Sequence, residues 1–156
     1  MVKEQATCLK SMLRVSGLVL AVGFLLNLIW ENAQAPLYQE YRSFYESFSK
    51  CLLAAVIDAL VTLLLYLLFA LFYQNLYWLS SAGTRTYLLL LVLGALLAIW
   101  FEKWALLVGQ WSYTEAMPVV PALGVGLPPL LQLMFLPILS IWISTHLALR
   151  GLHHKR

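Results

Sequence analysis

Four long apolar stretches, three of them with a carboxylate inside or at the rim, constrain this chain more than any single motif does. Crossing the hydrocarbon core of a bilayer takes roughly 20 apolar residues in a helix. The stretches at about 14–31, 51–73, 86–108 and 128–149 approach or exceed that length. Glu31, Asp58 and Glu102 lie in or beside them. A charged residue at mid-membrane costs about 2.5–3.5 kcal/mol on insertion scales, so such a residue marks a functional site by default.

Composition agrees. Of 156 residues, 62% are hydrophobic and only 11% charged, too few to cover a water-facing surface. A soluble helical bundle needs polar stripes at a spacing of about 3.6 residues, and residues 60–72 (LVTLLLYLLFALF) have none. The expected fold is an all-α polytopic membrane protein. It has one transmembrane domain over 1–156, four helices, and a Pro/Gly-rich re-entrant or interfacial segment before the fourth.

Basic residues set the expected orientation. Lys3, Lys10, Arg14, Arg85, Arg150, Lys155 and Arg156 fall on one side of a four-span topology, with both termini and the 74–86 loop; Arg42 and Lys50 fall on the other. Basic loops stay cytoplasmic, which predicts a multi-pass protein of the bacterial inner (plasma) membrane with both termini cytoplasmic. The net charge of +3 is then a topology signal and a headgroup contact rather than a nucleic-acid footprint. Residues 1–35 also resemble a secretory signal ending in Ala33-Gln34-Ala35. Glu31 and Asn27 interrupt that pattern and Pro36 follows it, so the segment is expected to remain as the first span.

Counting about 1.5 Å per helical residue places the polar groups by depth. Glu31 closes the first span at the outer face, and Asp58 lies about 12 Å inside the second. Glu102 lies about 6–9 Å below the outer boundary, and Gln132 about 6 Å below it if Pro128 starts the fourth helix. Polar groups from four helices therefore share the outer third of the membrane, and the inner half offers only Thr62, Tyr66, Ser140, Ser144 and similar groups. Asn27 and Glu31 share a helix face, as do Asp58, Thr62 and Tyr66. Ala95, Ala98 and Ala105 on the face of Glu102 allow close helix approach, so Glu102 is expected to point into the bundle. Lys103 is rotated about 100° away, free to pair with a carboxylate or to snorkel to the headgroups.

Between Gln110 and Gln132, Pro118, Pro121, Pro128 and Pro129 crowd together with Gly124 and Gly126. Residues 117–127 cannot form ordinary helix. Apolar, non-helical backbone at membrane depth must pack on protein or line a cavity, so this segment reads as a lid over the acidic site. Pro128 and Pro129 then open the fourth helix, whose positive end faces the carboxylates. Trp30, Trp100 and Trp104 at the outer boundary, and Trp78, Tyr73, Tyr77, Tyr87 and Trp142 at the inner one, read as interface anchors. Trp111 and Tyr113, beside the lid, read as pocket-lining. Cys8 and Cys51 fall on opposite faces and cannot pair. His146, His153 and His154 lie far from the acids, so no metal site and no cofactor are expected.

The elements Trp30-Glu31-x-x-Gln34-x-Pro36-Leu37-Tyr38, Gly109-x-Trp111-x-Tyr113, Met117-Pro118-x-x-Pro121 and Gly124-x-Gly126-Leu127-x-Pro129-Leu130-Leu131-Gln132 resemble a family of small four-helix bacterial inner-membrane proteins without an assigned function. The resemblance implies four helices and no mechanism. A weaker similarity is to the small membrane subunits of carotenoid (lycopene) cyclases, matched by Glu102, Trp111 and Tyr113. There Pro118-Val119-Val120-Pro121 lacks the family's acidic pair.

The expected function is a periplasm-side acidic pocket that binds and modifies a lipid or isoprenoid. Glu31, Asp58 and Glu102 are the candidate proton donors and acceptors, with Asp58, the deepest, the expected proton carrier. Asn27, Gln34, Trp111, Tyr113 and Gln132 are the candidate binding residues. The expected partners are membrane lipids, a hydrophobic small molecule or a partner membrane protein, and no nucleic acid. A scaffold or assembly protein and a small proton-coupled transporter are the alternatives.

Overall fold

The computed structural model describes residues 2–153, with side chains over 9–150. His154, Lys155 and Arg156 lie outside the described residues, as do the side chains of Lys3, Cys8 and His153. The chain is 78% helical. Four helices carry it: α1 (Val2–Gln34), α2 (Phe44–Tyr73), α3 (Thr84–Leu107) and α4 (Leu127–His153). Each contains a segment long and apolar enough to cross a membrane. Single-turn 3-10 helices at Ala35–Leu37 and Trp78–Ser81 shape two of the connections.

Four helix boundaries differ from the sequence expectation by three or more residues: α1 starts at Val2 rather than about 14, α4 runs to His153 rather than about 149, and the other two shape the site. The first helix runs on past Glu31 to Gln34, stopping where Pro36 takes over the chain direction. Glu31 is thus inside a helix rather than closing it, and Gln34 joins the same face. The second helix begins earlier, at Phe44, because the Ser43 hydroxyl accepts the Glu46 N–H and caps it. Hydropathy alone marks where the apolar run starts, and helices outlast it at both ends.

Packing places α1 and α4 at the centre, in contact with each other along the bundle. The α2 helix lies against α1, and α3 against α4, whereas α2 and α3 do not pack against each other along their lengths. Toward the end that holds the 74–83 connection, the interior is dry. Val15, Val19, Leu65, Tyr66, Phe69, Leu90 and Ile141 form one buried cluster there, and Trp78 stacks on Phe69 at 4.9 Å. Trp78 is only 2% exposed, so it is a core residue and not the interface anchor its position in a loop implies.

Two features of α4 act together. Pro137 is fully buried inside the helix and lacks the N–H that would otherwise bond to the Leu133 carbonyl. That carbonyl faces Gly94 of α3 so closely that a Cβ on residue 94 would lie 2.1 Å from its oxygen. Only glycine fits, and the approach lets the Cα–H partly satisfy the freed oxygen. Gly94→Ala is expected to force α3 away from α4 and to destabilise the protein by about 3 kcal/mol. Thermal melting in detergent checks this, and an unchanged midpoint would mean the helices separate without strain.

Between α3 and α4 the Pro/Gly-rich segment forms a small antiparallel hairpin, β1 (Val119–Val120) with β2 (Val125–Gly126). Gly124 turns it with a left-handed φ of 65°, its N–H donating to the Val120 carbonyl at 2.8 Å. The Leu127 N–H donates to Pro118 O at 2.7 Å. The apolar segment thereby satisfies backbone polar groups within itself. Val120 and Leu123 pack against Ala98, Leu130 and Leu133, and Val125 is wholly buried.

Candidate functional site

On α1, Asn27, Glu31 and Gln34 fall on the face turned to α4, at spacings of four and three residues. Each is held before it meets a partner. The Asn27 amide donates to the Gly23 carbonyl at 2.8 Å, which leaves its own oxygen facing outward. Gln34 receives the Trp30 indole N–H at 3.2 Å and donates to Glu31 at 3.0 Å. From α4, one turn past its prolines, Gln132 reaches into this row.

Gln132 is the hub. Its side-chain nitrogen lies 2.9 Å from Asn27 Oδ1, 2.8 Å from Glu31 Oε1 and 2.7 Å from Asp58 Oδ2. Its oxygen accepts from Gln34 at 2.8 Å. An amide nitrogen has two protons, yet three acceptors crowd it. Glu31 Oε1 and Asp58 Oδ2 are thereby brought to the same amide nitrogen. Side chains from α1, α2 and α4 thus form one buried network, in which Gln132 is 2% and Asn27 1% exposed.

Glu102 is held separately. It is 4% exposed, and the face it shares with Gly94, Ala98 and Ala105 is turned inward, as expected from the small residues. The Tyr113 hydroxyl donates to Glu102 Oε2 and accepts the Gly126 N–H at 2.9 Å. The start of α4 therefore reaches Glu102 through a phenol. Its positive end offers few free donors directly, because residues 128 and 129 are proline and the Leu127 N–H is already bonded. Burial first, and then the bond to Glu102, push the Tyr113 phenol above the ordinary tyrosine range, so it stays a neutral donor. Burial and then the charge of Glu102 push Tyr38 up in the same way.

The α1–α2 and α3–α4 connections are clasped together at this end of the bundle. Tyr38 and Tyr113 form an antiparallel bridge, and the Thr114 N–H donates to Leu37 O at 3.0 Å. The Gln39 N–H donates to Ser112 O at 3.0 Å, and its side chain to Tyr113 O at 2.8 Å. The Ser112 hydroxyl and N–H both donate to Glu40, at 2.9 and 3.2 Å. Tyr38 sits edge-on to Trp111, with ring centroids 5.9 Å apart.

Beneath the clasp lies a cavity of about 530 Å³, within the usual range for small-molecule sites, roughly 300–1,000 Å³. Glu31, Asp58, Glu102, Gln34 and Gln132 are polar residues of its lining. Leu53, Ala54 and Ile57 of α2 and Phe101 and Trp104 of α3 form apolar walls on the side where those two helices stay apart. Lys50 is the one cation among the lining residues. Trp111 also lines the cavity, its indole N–H buried beside Glu102.

Most of the residues expected from sequence meet here, with distinctions that depth counting could not make. Asn27 and Tyr113 stand behind the lining, Asn27 orienting Gln132 and Tyr113 holding Glu102. The acids form a Glu31–Asp58 pair and a separate Glu102 rather than one cluster; among the described residues, no three of His, Cys, Asp and Glu gather closely enough to hold a metal ion. Lys103 is exposed and outside the cavity lining, so it does not pair with these acids. Trp104, expected as an anchor, forms part of a cavity wall. Tyr38 and Cys51 were missed, and the polar spacing gave no signal for either. Comparison with protein-family models, curated proteins and solved structures finds no match to this chain.

Proposed function

We propose that this chain is a multi-pass protein of the bacterial inner membrane, with both termini cytoplasmic. Its periplasm-side acidic cleft binds a lipid or isoprenoid and moves a proton to or from it. The carrying observation is the make-up of the cavity, rimmed by the polar residues Glu40, Lys50 and Gln110, walled by apolar side chains where α2 and α3 part, and floored by ionisable groups. The gap between α2 and α3 offers a ligand with an apolar chain a route to that floor from the acyl region. The β-hairpin, expected as a lid, packs instead on α3 and α4 and contributes no residue to the cavity lining. The Glu31–Asp58 pair, joined through Gln132, supplies the proton donor, and Glu102, poised by Tyr113, the acceptor.

The alternatives fit less well. A scaffold that offers its acids to a partner's bases needs them accessible, and the small-residue face beside Glu102 is already used by α4. A proton-coupled transporter needs a polar path inward, where the interior is the dry cluster around Val19 and Ile141.

Lipid extracted from detergent-purified protein and identified by mass spectrometry tests the reading. One lipid class is expected to be enriched over bulk membrane and to be lost or altered in Asp58→Asn and Glu102→Gln, both still inserted. A bulk-like lipid profile in wild type would end the proposal. For orientation, Arg42→Cys is expected to react with an impermeant maleimide in intact spheroplasts, and Arg85→Cys only after lysis.

A further inference from the structure

Donors run short at the floor of the cavity. The Gln132 amide nitrogen has two protons for three acceptors, Asn27 Oδ1, Glu31 Oε1 and Asp58 Oδ2. Neighbouring donors are already engaged: Gln34 donates to Glu31 and Gln132, and the Tyr113 hydroxyl to Glu102. Glu31 accepts on Oε1 and Asp58 on Oδ2, and no described residue donates to their second carboxyl oxygens. Charge is unbalanced in the same sense. Glu31, Asp58, Glu102 and Glu40 line the cavity against one cation, Lys50.

We infer that the ligand's polar end is a primary amine, held as the ammonium with its N–H groups on the Glu31–Asp58 pair. This deepens the lipid reading above and rests on it. An ammonium carries three donors, a positive charge and no lone pair, so it supplies what the floor lacks and needs no donor in return. A phosphate brings acceptors and negative charge to a cavity lined by four acids. A hydroxyl adds one donor but no charge, and its lone pairs meet donors already engaged. A trimethylammonium has the charge without an N–H. Tyr38, Phe101, Trp104 and Trp111 line the same space, and aromatic rings add to the attraction for a cation. Delivery fits the same chemistry, because an amine crosses the acyl region at least cost as the neutral base. At the floor its nitrogen lone pair takes a proton from the Glu31–Asp58 pair. The carboxyl O–H bond breaks as the N–H bond forms, leaving ammonium beside carboxylate.

Calorimetric titration of the purified full chain in phosphatidylcholine nanodiscs, corrected with empty discs, tests this. Four probes share one farnesyl chain and end in a primary amine, a trimethylammonium, an alcohol or a monophosphate; a fifth, butylamine, lacks the chain. Farnesylamine is expected to bind at least about tenfold more tightly than each of the others. Asp58→Asn is expected to erase most of that margin. Binding of the trimethylammonium, the alcohol or the monophosphate as tightly as farnesylamine would overturn the amine assignment and leave the lipid reading standing. Butylamine binding as tightly as farnesylamine would overturn the lipid reading and keep the amine. No binding by any probe would overturn both. The wild-type series alone decides between these outcomes, so it holds whether or not the variant folds.

Discussion

Gln132→Leu is expected to lower stability by about 3–5 kcal/mol, the range for breaking a buried charged network by removing one partner. Leucine fills a similar volume but returns none of the hydrogen bonds. Asn27 Oδ1 and Asp58 Oδ2 each lose the donor described for them, Glu31 loses one of two donors, and Gln34 one of two acceptors. Water cannot reach these groups easily, because Asn27 and Gln34 are 1% and 5% exposed. Denaturant or thermal melting in detergent measures the loss. Adding Asp58→Asn to Gln132→Leu gives a cycle in which the two effects are far from additive, since each removes the other's partner. Additive losses would show that Asp58 and Gln132 act independently and that the hub description is wrong.

The position of this hub explains why part of the site was legible in the sequence. Depth along a helix is arithmetic, and polar residues in apolar runs are few. Counting residues therefore brought Glu31, Asp58, Glu102 and Gln132 to one level before any contact was known. Face arithmetic likewise turned Glu102 inward, because Ala98 and Ala105 share its stripe.

What stayed hidden has a common cause. Lipid-facing and core-facing residues of a membrane helix are equally apolar, so hydropathy does not say which helices touch. Nothing in Leu53, Ile57 or Phe101 distinguishes the wall of a cleft from the outside of a bundle. The separation of α2 and α3 depends on close approach elsewhere, at Gly94 against Leu133, where one proline and one glycine forty-odd residues apart act as a pair. Tryptophan misled for a related reason. Trp78 in a connection looks like a headgroup anchor, but stacking on Phe69 and lying parallel to Tyr73 at 6.1 Å make it core. The hairpin escaped because strands of two residues leave no alternation to detect.

Ile57→Trp separates access from architecture and is expected to give the largest functional loss for the least structural change. Ile57 lines the cavity on its α2 wall yet is 46% exposed on the side facing the gap before α3. An indole there adds bulk to the opening without touching Gln132, Asn27 or the dry cluster. Lipid enrichment in the purified protein is expected to fall at least about tenfold, a loss of about 1.4 kcal/mol or more in affinity. The melting temperature should stay within the small range of surface substitutions, about 0.5 kcal/mol. Gln132→Leu loses both ligand and stability; Ile57→Trp should lose only the ligand. If Ile57→Trp retains full lipid occupancy, the ligand does not pass between α2 and α3. Access would then have to come through the clasp of Glu40, Ser112, Tyr38 and Tyr113, and a water-borne ligand would become the better reading of the same acids.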